Sequence, residues 1–367
     1  MKKNLEIYIH IPFCARKCAY CDFLSGPAGE DVQRQYVERL LQEIRESKTL
    51  AEEYEVSTVF FGGGTPSILP GAWIADILEE LKGIFRFQVN VEITIEVNPG
   101  TVDRDKLLVY RKAGINRISF GLQSAKNEEL RLLGRIHTWE EFQESCRIAR
   151  EAGFSNINID LMSALPGQTV ESFRETLERV LALQPEHISA YSLIIEEGTP
   201  FYDRYEDHPE LLPSEDEERQ MYYDTKSILQ EHGYERYEIS NYAKPGYVCR
   251  HNLGYWERID YKGFGLGAAS LLSNVRTSNQ TELSRYLAGD FSGSEEILTE
   301  QAIREEYFFL GLRKTEGVAA GIYRNYYENL INRLQMQQLL EEKDGKICLT
   351  EKGIDVSNYV LAQFLDE

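Results

Sequence analysis

Short runs of β-branched and aromatic residues alternate with longer amphipathic stretches through the first two hundred positions. The runs Leu5–Ile11, Ser57–Phe61, Glu92–Val97, Arg117–Phe120, Asn156–Asp160 and His187–Tyr191 read as strands. Between them, apolar residues recur every three to four positions near Val32–Glu46, Ala72–Ile84, Asp103–Lys112, Trp139–Ala152 and Ser172–Ala182, which is the spacing of one helix face. Strand-then-helix alternation predicts a parallel sheet with right-handed crossovers. About six such units make a curved, incomplete (β/α)6 barrel, short of the eight that close one.

The rhythm changes past Thr199. Pro200–Pro213 reads as a loop, Glu215–Glu231 as a helix, and Tyr234–Leu272 as a Gly- and aromatic-rich segment. From Thr299 the pattern is mainly helical. Near the end, Leu339-Leu-Glu-Glu-Lys-Asp-Gly-Lys-Ile-Cys-Leu-Thr predicts a helix, a Lys-Asp-Gly turn and a short hairpin, with a last helix after it. The expected fold is α/β. A partial barrel spans residues 1–200, an extension of it 201–290, and a smaller, mainly helical winged-helix-like domain 291–367.

Composition adds limits. The chain has 367 residues, 42% of them hydrophobic and 27% charged, which suits one large and one small globular domain. No apolar run approaches the roughly 18 residues of a membrane span, and the opening Met1-Lys-Lys-Asn-Leu-Glu-Ile-Tyr is too short and polar for a signal peptide. A cytoplasmic location is expected. The net charge of −20 repels phosphate backbones, so no nucleic-acid partner is expected, and the C-terminal domain is expected to pack or to recognise protein.

Six cysteines are present, and half of them, Cys14, Cys18 and Cys21, fall within eight residues. Clustered thiols in a reducing compartment point to metal or cluster binding, not disulfides. In Tyr8-Ile-His-Ile-Pro-Phe-Cys14-Ala-Arg-Lys-Cys18-Ala-Tyr-Cys21 the spacing lets a loop wrap one face of a cube. Thiolates are the usual ligands of [4Fe–4S] clusters, and three of them leave one iron open. Structural zinc wants four ligands, and the second Cys-x-x-Cys pair is missing. The loop follows the first strand, at the C-terminal mouth of the sheet.

Phe61-Gly62-Gly63-Gly64-Thr65-Pro66 follows the second strand, where consecutive glycines let backbone approach a ligand. Further along, Glu96 can accept from ribose hydroxyls, Gln123 can satisfy a polar edge, and Arg135 can pair with a carboxylate. Asp160 completes the set. Each alone reads as a buried polar residue or a cap; together, at successive strand ends, they read as a ligand site.

The Cys-x-x-x-Cys-x-aromatic-Cys loop after a first strand resembles the radical-SAM superfamily, and Tyr-Ile-His-Ile-Pro-Phe-Cys resembles its coproporphyrinogen dehydrogenase-like branch. The resemblance implies a [4Fe–4S] cluster on Cys14, Cys18 and Cys21 whose open iron binds S-adenosylmethionine (SAM). It also implies that Gly64 and Thr65 meet the methionine end of SAM, and that Tyr8, Tyr20, Ser192 and Ala269 line it. The dehydrogenase of that branch carries a cysteine two positions after the third ligand, where this chain has Phe23. It also has a long segment before the cluster loop, where this chain has 13 residues. Both differences argue against porphyrinogen decarboxylation.

Arg250-His251-Asn-Leu-Gly-Tyr255-Trp256 by composition alone holds a loop or core histidine. Its His-Asn-x-x-Tyr-Trp pattern, however, is similar to that of the HemW-type haem chaperones. That resemblance implies His251, with Cys249 as the alternative, as ligand of haem b bound for an unidentified acceptor protein. Gly263-Phe-Gly-Leu-Gly267 lacks the spacing of a dinucleotide fingerprint and reads as pocket floor. Oxygen-independent oxidation of coproporphyrinogen III is the alternative function. Whether SAM is cleaved, and whether the chain is a monomer or a homodimer, are left open, and no catalytic residue is assigned.

Overall fold

The computed structural model describes residues 2–365. Its first half runs β1 (Lys3–Ile11), α1 (Glu30–Glu46), β2 (Tyr54–Gly63), α2 (Gly71–Ile84), β3 (Phe87–Val97), α3 (Arg104–Ala113), β4 (Arg117–Gln123), α4 (Asn127–Leu132), α5 (Trp139–Glu151), β5 (Ile157–Ser163), α6 (Val170–Leu181) and β6 (His187–Ser192). The six strands lie in chain order and every neighbouring pair is parallel. Local chemistry sets the helix starts. Asp103 and Thr169 each accept a backbone N–H at their helix N-termini, and Thr138 with Glu141 forms a reciprocal capping box.

The strands alternate, with register shifts near Val56 in β2 and Gly121 in β4. On one face Leu5, Ile7, Ile9, Val59, Phe61, Ile93, Ile95, Ile118, Phe120, Ile157 and Ile159 pack with helix residues such as Leu40, Ile77, Phe142 and Leu177 in one apolar core. The opposite face carries Glu6, Tyr8, His10, Thr58, Glu92, Thr94, Glu96, Arg117, Ser119, Asn158, Asp160 and His187. The barrel is therefore apolar outside, under its helices, and polar within.

The chain continues as α7 (Pro200–Tyr205), α8 (Glu215–Glu231), β7 (Glu235–Arg236), β8 (Asn241–Ala243), α9 (Arg250–Trp256), β9 (Tyr261–Phe264), β10 (Ala269–Leu272), β11 (Val275–Asn279), α10 (Leu283–Leu287) and β12 (Ser292–Ile297). One expectation is corrected here. Pro200–Pro213 is not all loop, because the Thr199 side chain caps α7 and Pro200 sits at its first turn, where a missing N–H costs nothing. The Gly- and aromatic-rich segment is structured too. β9 pairs parallel to β1, and β10, β11 and β12 add antiparallel strands beyond it, giving a twelve-stranded sheet ordered β12-β11-β10-β9-β1-β2-β3-β4-β5-β6-β8-β7.

The remainder is α11 (Glu300–Gly311), β13 (Val318–Ala319), α12 (Arg324–Met336), β14 (Leu340–Lys343), β15 (Lys346–Leu349), α13 (Glu351–Asp355) and α14 (Ser357–Ala362). The β14–β15 hairpin turns at Asp344 and Gly345, both at positive φ (52° and 76°), as a tight two-residue turn requires. A second apolar cluster, including Phe308, Ile331, Leu334, Ile347 and Phe364, holds this part together. Among the described residues no helix is long and apolar enough to cross a membrane.

Candidate cofactor site at the mouth of the barrel

The loop after β1 and the turn after β2 are built against each other. Gly64 N donates to Ile11 O (2.9 Å) and Thr65 N to Phe13 O (2.8 Å). Gly63 lies at φ +108°, and a Cβ on Gly64 would stand 2.7 Å from the Phe13 carbonyl oxygen and 3.0 Å from Cys14 Sγ. These glycines are needed for close packing on the cysteine loop as well as for ligand approach.

Cys14, Cys18, Tyr20 and Cys21 line one cavity of about 300 Å³ together with Gly64, Thr65, Glu96, Gln123, Arg135, Asp160 and Ser192. Eleven of the fourteen residues expected from sequence are thus brought to one place, most from strands or the loops after them, Asp160 from the middle of β5 and Arg135 from the loop after α4. Thr65 Oγ1 lies 3.6 Å from Cys14 Sγ, and Arg135 Nη1 points at Cys18 Sγ, also at 3.6 Å. Burial pushes the Cys21 thiol up. Among the described residues no three potential ligands converge on a single ion. Three thiols lining one cavity wall are the donor set of a cubane, which presents a separate iron to each.

Glu96 and Asp160 form the floor. Burial, with the Asp160 charge beside it, pushes the Glu96 carboxyl up to about 8, and burial also raises Asp160. Glu96 accepts from Gly63 N at 3.2 Å, and Asp160 accepts from Asn158 at 2.7 Å. Gln123 is held at φ +72°, a strained setting for a non-glycine residue, with its side-chain oxygen accepting from Tyr191 O–H at 3.0 Å.

Three expected residues lie elsewhere. Ala269 is exposed on β10, in the antiparallel extension, and Tyr8 lies inside the barrel, its O–H 3.1 Å from His10 Nδ1. Tyr8 and His251 instead line a second cavity of about 240 Å³, which reaches the same Glu96 and Asp160 from below. His251 is 1% exposed and sits on α9 inside the barrel. Its Nδ1 is 2.7 Å from Thr58 Oγ1, its Nε2 is 3.1 Å from Tyr255 O–H, and its ring stacks on Phe60 at 5.1 Å. As placed, neither nitrogen is free to ligate iron. Burial, reinforced by the Arg117 charge, pushes its pKa down to about 3, so it is neutral at physiological pH. Cys249 is fully buried beside Glu92.

Sequence reasoning missed Asn98. Its amide donates to Thr65 Oγ1 (2.9 Å) and its oxygen accepts from Arg135 Nη2 (2.7 Å), joining three lining residues. The signal was available, since Asn98 stands two residues after Glu96 and so shares its face. Arg16, Lys17, Phe23 and Ile194 also line the cavity without having been singled out for it.

A family model for the radical SAM superfamily matches residues 8–180. The chain is 42% identical to the "Heme chaperone HemW" of Escherichia coli, over 99% of this chain and 98% of that one. It is 36% identical to the protein of the same name from Lactococcus lactis, over 100% and 98%. Among solved structures it resembles coproporphyrinogen III oxidase (HemN) from Escherichia coli, described as a radical SAM enzyme, with a TM-score of 0.87 and 26% identity, covering 99% of this chain and 90% of that one. The oxidase shares the architecture, but the likeness that runs end to end at the higher identities is to the other group: this chain belongs to the HemW heme chaperone family of the radical SAM superfamily.

Proposed function

We propose that this protein is a haem chaperone that carries haem to an acceptor protein and holds a [4Fe–4S] cluster with SAM at the mouth of its barrel. The observation that carries the reading is the end-to-end likeness to the haem chaperones. Phe23, in place of the dehydrogenase's additional cysteine, supports it. Cys14, Cys18 and Cys21 are the thiolates for the cluster, which when bound supplies an open iron for SAM and an electron for reducing it.

The chain's own groups do the positioning. The glycine turn at 62–64 keeps side chains away from the cluster loop, and Thr65 and Asn98 fix the orientation of Arg135. Arg135 holds a positive charge against Cys18 and offers it to a ligand carboxylate. Glu96, largely protonated at neutral pH, can both donate to and accept from ribose hydroxyls. For His251 to ligate haem, the Tyr255 O–H must let go of its Nε2 and α9 must open toward solvent.

The test is a haem titration of the anaerobically reconstituted protein, following the Soret band, with His251→Ala as control. Saturation near one haem per chain is the expected result, and no saturable uptake would sink the reading. The second reading, coproporphyrinogen III oxidation, draws on the structural likeness to the oxidase. Anaerobic turnover of that porphyrinogen with SAM and a reductant would establish it in place of the first.

A further inference from the structure

We infer that Glu306, Arg313 and Lys314 form a clasp on α9 that holds Tyr255 shut against His251. The inference rests on the haem-chaperone reading and adds what controls access to its histidine.

The two ends of α9 are gripped by different parts of the chain. At the first turn, Glu92 of β3 accepts from Arg250 N and from His251 N, both at 3.2 Å. The last residues are held instead by α11 and the turn after it. The Arg313 guanidinium lies over the Trp256 ring, 4.5 Å from its centroid. Lys314 Nζ pairs with Glu257 at 2.9 Å, and Glu306 pairs with Arg258 at 2.8 Å. The Glu306 and Arg258 side chains are only 16% and 13% exposed, so solvent screens this pair little. Arg258, directly after the helix, is held at φ +55°, a strained setting for a non-glycine residue. Trp256 Nε1 and Arg313 Nε are buried with no hydrogen-bond partner among the described residues, although a buried indole N–H usually finds one. This end of α9 is therefore strained and incompletely bonded, and contacts from the C-terminal part keep it in place.

Those contacts reach His251 through one neighbour. Tyr255, the residue before Trp256, puts its O–H 3.1 Å from His251 Nε2. With Glu92 anchoring the first turn, release of Trp256 and Glu257 swings Tyr255 away and leaves His251 where it is. Its Nε2 is then free, while Nδ1 stays 2.7 Å from Thr58 Oγ1. Glu306, Arg313 and Lys314 are positioning residues in this scheme, since none of them lines the cavity that holds His251. A closed state that must open before haem enters lowers the apparent affinity by the fraction of molecules that are open. Weakening the clasp should therefore strengthen binding. Ordinary damage to the fold would do the opposite.

The experiment compares cluster-loaded wild type with Arg313→Ala, Arg313→Lys and Glu257→Gln, each titrated with haemin and also mixed with it rapidly while the Soret band is followed. Arg313→Ala should bind about three- to tenfold tighter and take haemin up faster by a similar factor. Glu257→Gln, which can fold even if Arg313→Ala does not, should gain about two- to threefold. Arg313→Lys keeps a cation over the indole and should stay near wild type. Iron per chain should be the same in all four. Amide hydrogen exchange should quicken at residues 255–257 and not at Arg250 and His251. Adding His251→Ala to Arg313→Ala should abolish the gain. Unchanged or weaker haemin binding in both Arg313→Ala and Glu257→Gln would overturn the clasp while leaving the chaperone reading intact, and so would a gain that survives without His251. No saturable haemin uptake by wild type or any variant would overturn the chaperone reading itself, and the clasp with it.

Discussion

Two cavities meet at Glu96 and Asp160, and they differ in what their polar groups are doing. The upper one, at the C-terminal ends of the strands, gathers three thiols, an arginine aimed at a sulfur, a strained glutamine and an apolar rim. The lower one lies among the inward side chains of the same strands. There His251, Thr58, Tyr255 and Phe60 engage one another, and Ser119, Asn158 and Asp160 do likewise. The upper polar groups are held by protein partners and still face an open cavity, whereas the lower ones face one another inside the barrel. Chemistry is thus marked here by height along the strand more than by residue type.

Cys18→Ala breaks the upper region with the largest effect. Losing one of three thiolates should remove essentially all cluster absorbance and bound iron, measured after anaerobic reconstitution. Cys18 is only half-buried in a loop, so the thermal midpoint of the cluster-free protein should stay near that of wild type. Full iron occupancy would overturn the ligand assignment. A large drop in midpoint would mean that the loop is part of the structural core, and the contrast between the cavities would fail.

Gly64→Ala is the next largest. Its methyl would face a carbonyl oxygen at 2.7 Å and Cys14 Sγ at 3.0 Å, and neither the strand end nor the loop yields easily. A cost of about 1–3 kcal/mol is expected, with weaker cluster retention, from denaturant unfolding and iron per chain. Gly83→Ala, on exposed α2 with open space around it, should do the reverse and stabilise by about 0.5–1 kcal/mol. If both changes cost alike, the crowding at Gly64 is not what selects glycine there.

Much of this was legible in the sequence because the signals were local. The six strands and their helices follow from period-2 and period-3.6 patterns, and Lys-Asp-Gly marked the turn between β14 and β15. Glu96, Gln123 and Asp160 were readable too, as polar residues in strands that otherwise alternate with apolar ones. What stayed hidden depends on contacts distant in sequence. Four- to six-residue strands such as β9 to β12 carry too little periodicity to stand out, and β9 exists because β1 offers it an edge. Neither the seven-residue span of α9 nor the motif around His251 tells which way the ring points. Only the register of β2, which sets Thr58 and Phe60 inward, shows that the ring is enclosed.

Glu6→Gln sharpens the lower region with the smallest but most specific effect. Glu6 is 1% exposed and faces His251, whose Nδ1 is 3.9 Å from Glu6 Oε2, with Glu92, Glu257 and Arg250 around it. Burial, then the Glu92 charge, pushes its carboxyl up to about 9, so it is protonated at neutral pH and the contact with neutral His251 is not an ion pair. The sign follows from proton uptake. Between the ordinary carboxylate value and about 9 the folded protein holds a proton that the unfolded chain has lost, so stability is greatest at the acid end and falls as pH rises. Glu96, raised to about 8, adds to the same trend. Wild type should therefore lose on the order of 6 kcal/mol between pH 6 and pH 9, measured by denaturant unfolding at each pH. Gln, with the same shape and no proton to lose, should remove a large part of that slope while keeping the cluster. Identical slopes in the two proteins would mean that Glu6 ionises freely in the folded state. The lower cavity would then hold an unmatched charge, and it would have to be counted, like the upper one, as a place that waits for a partner.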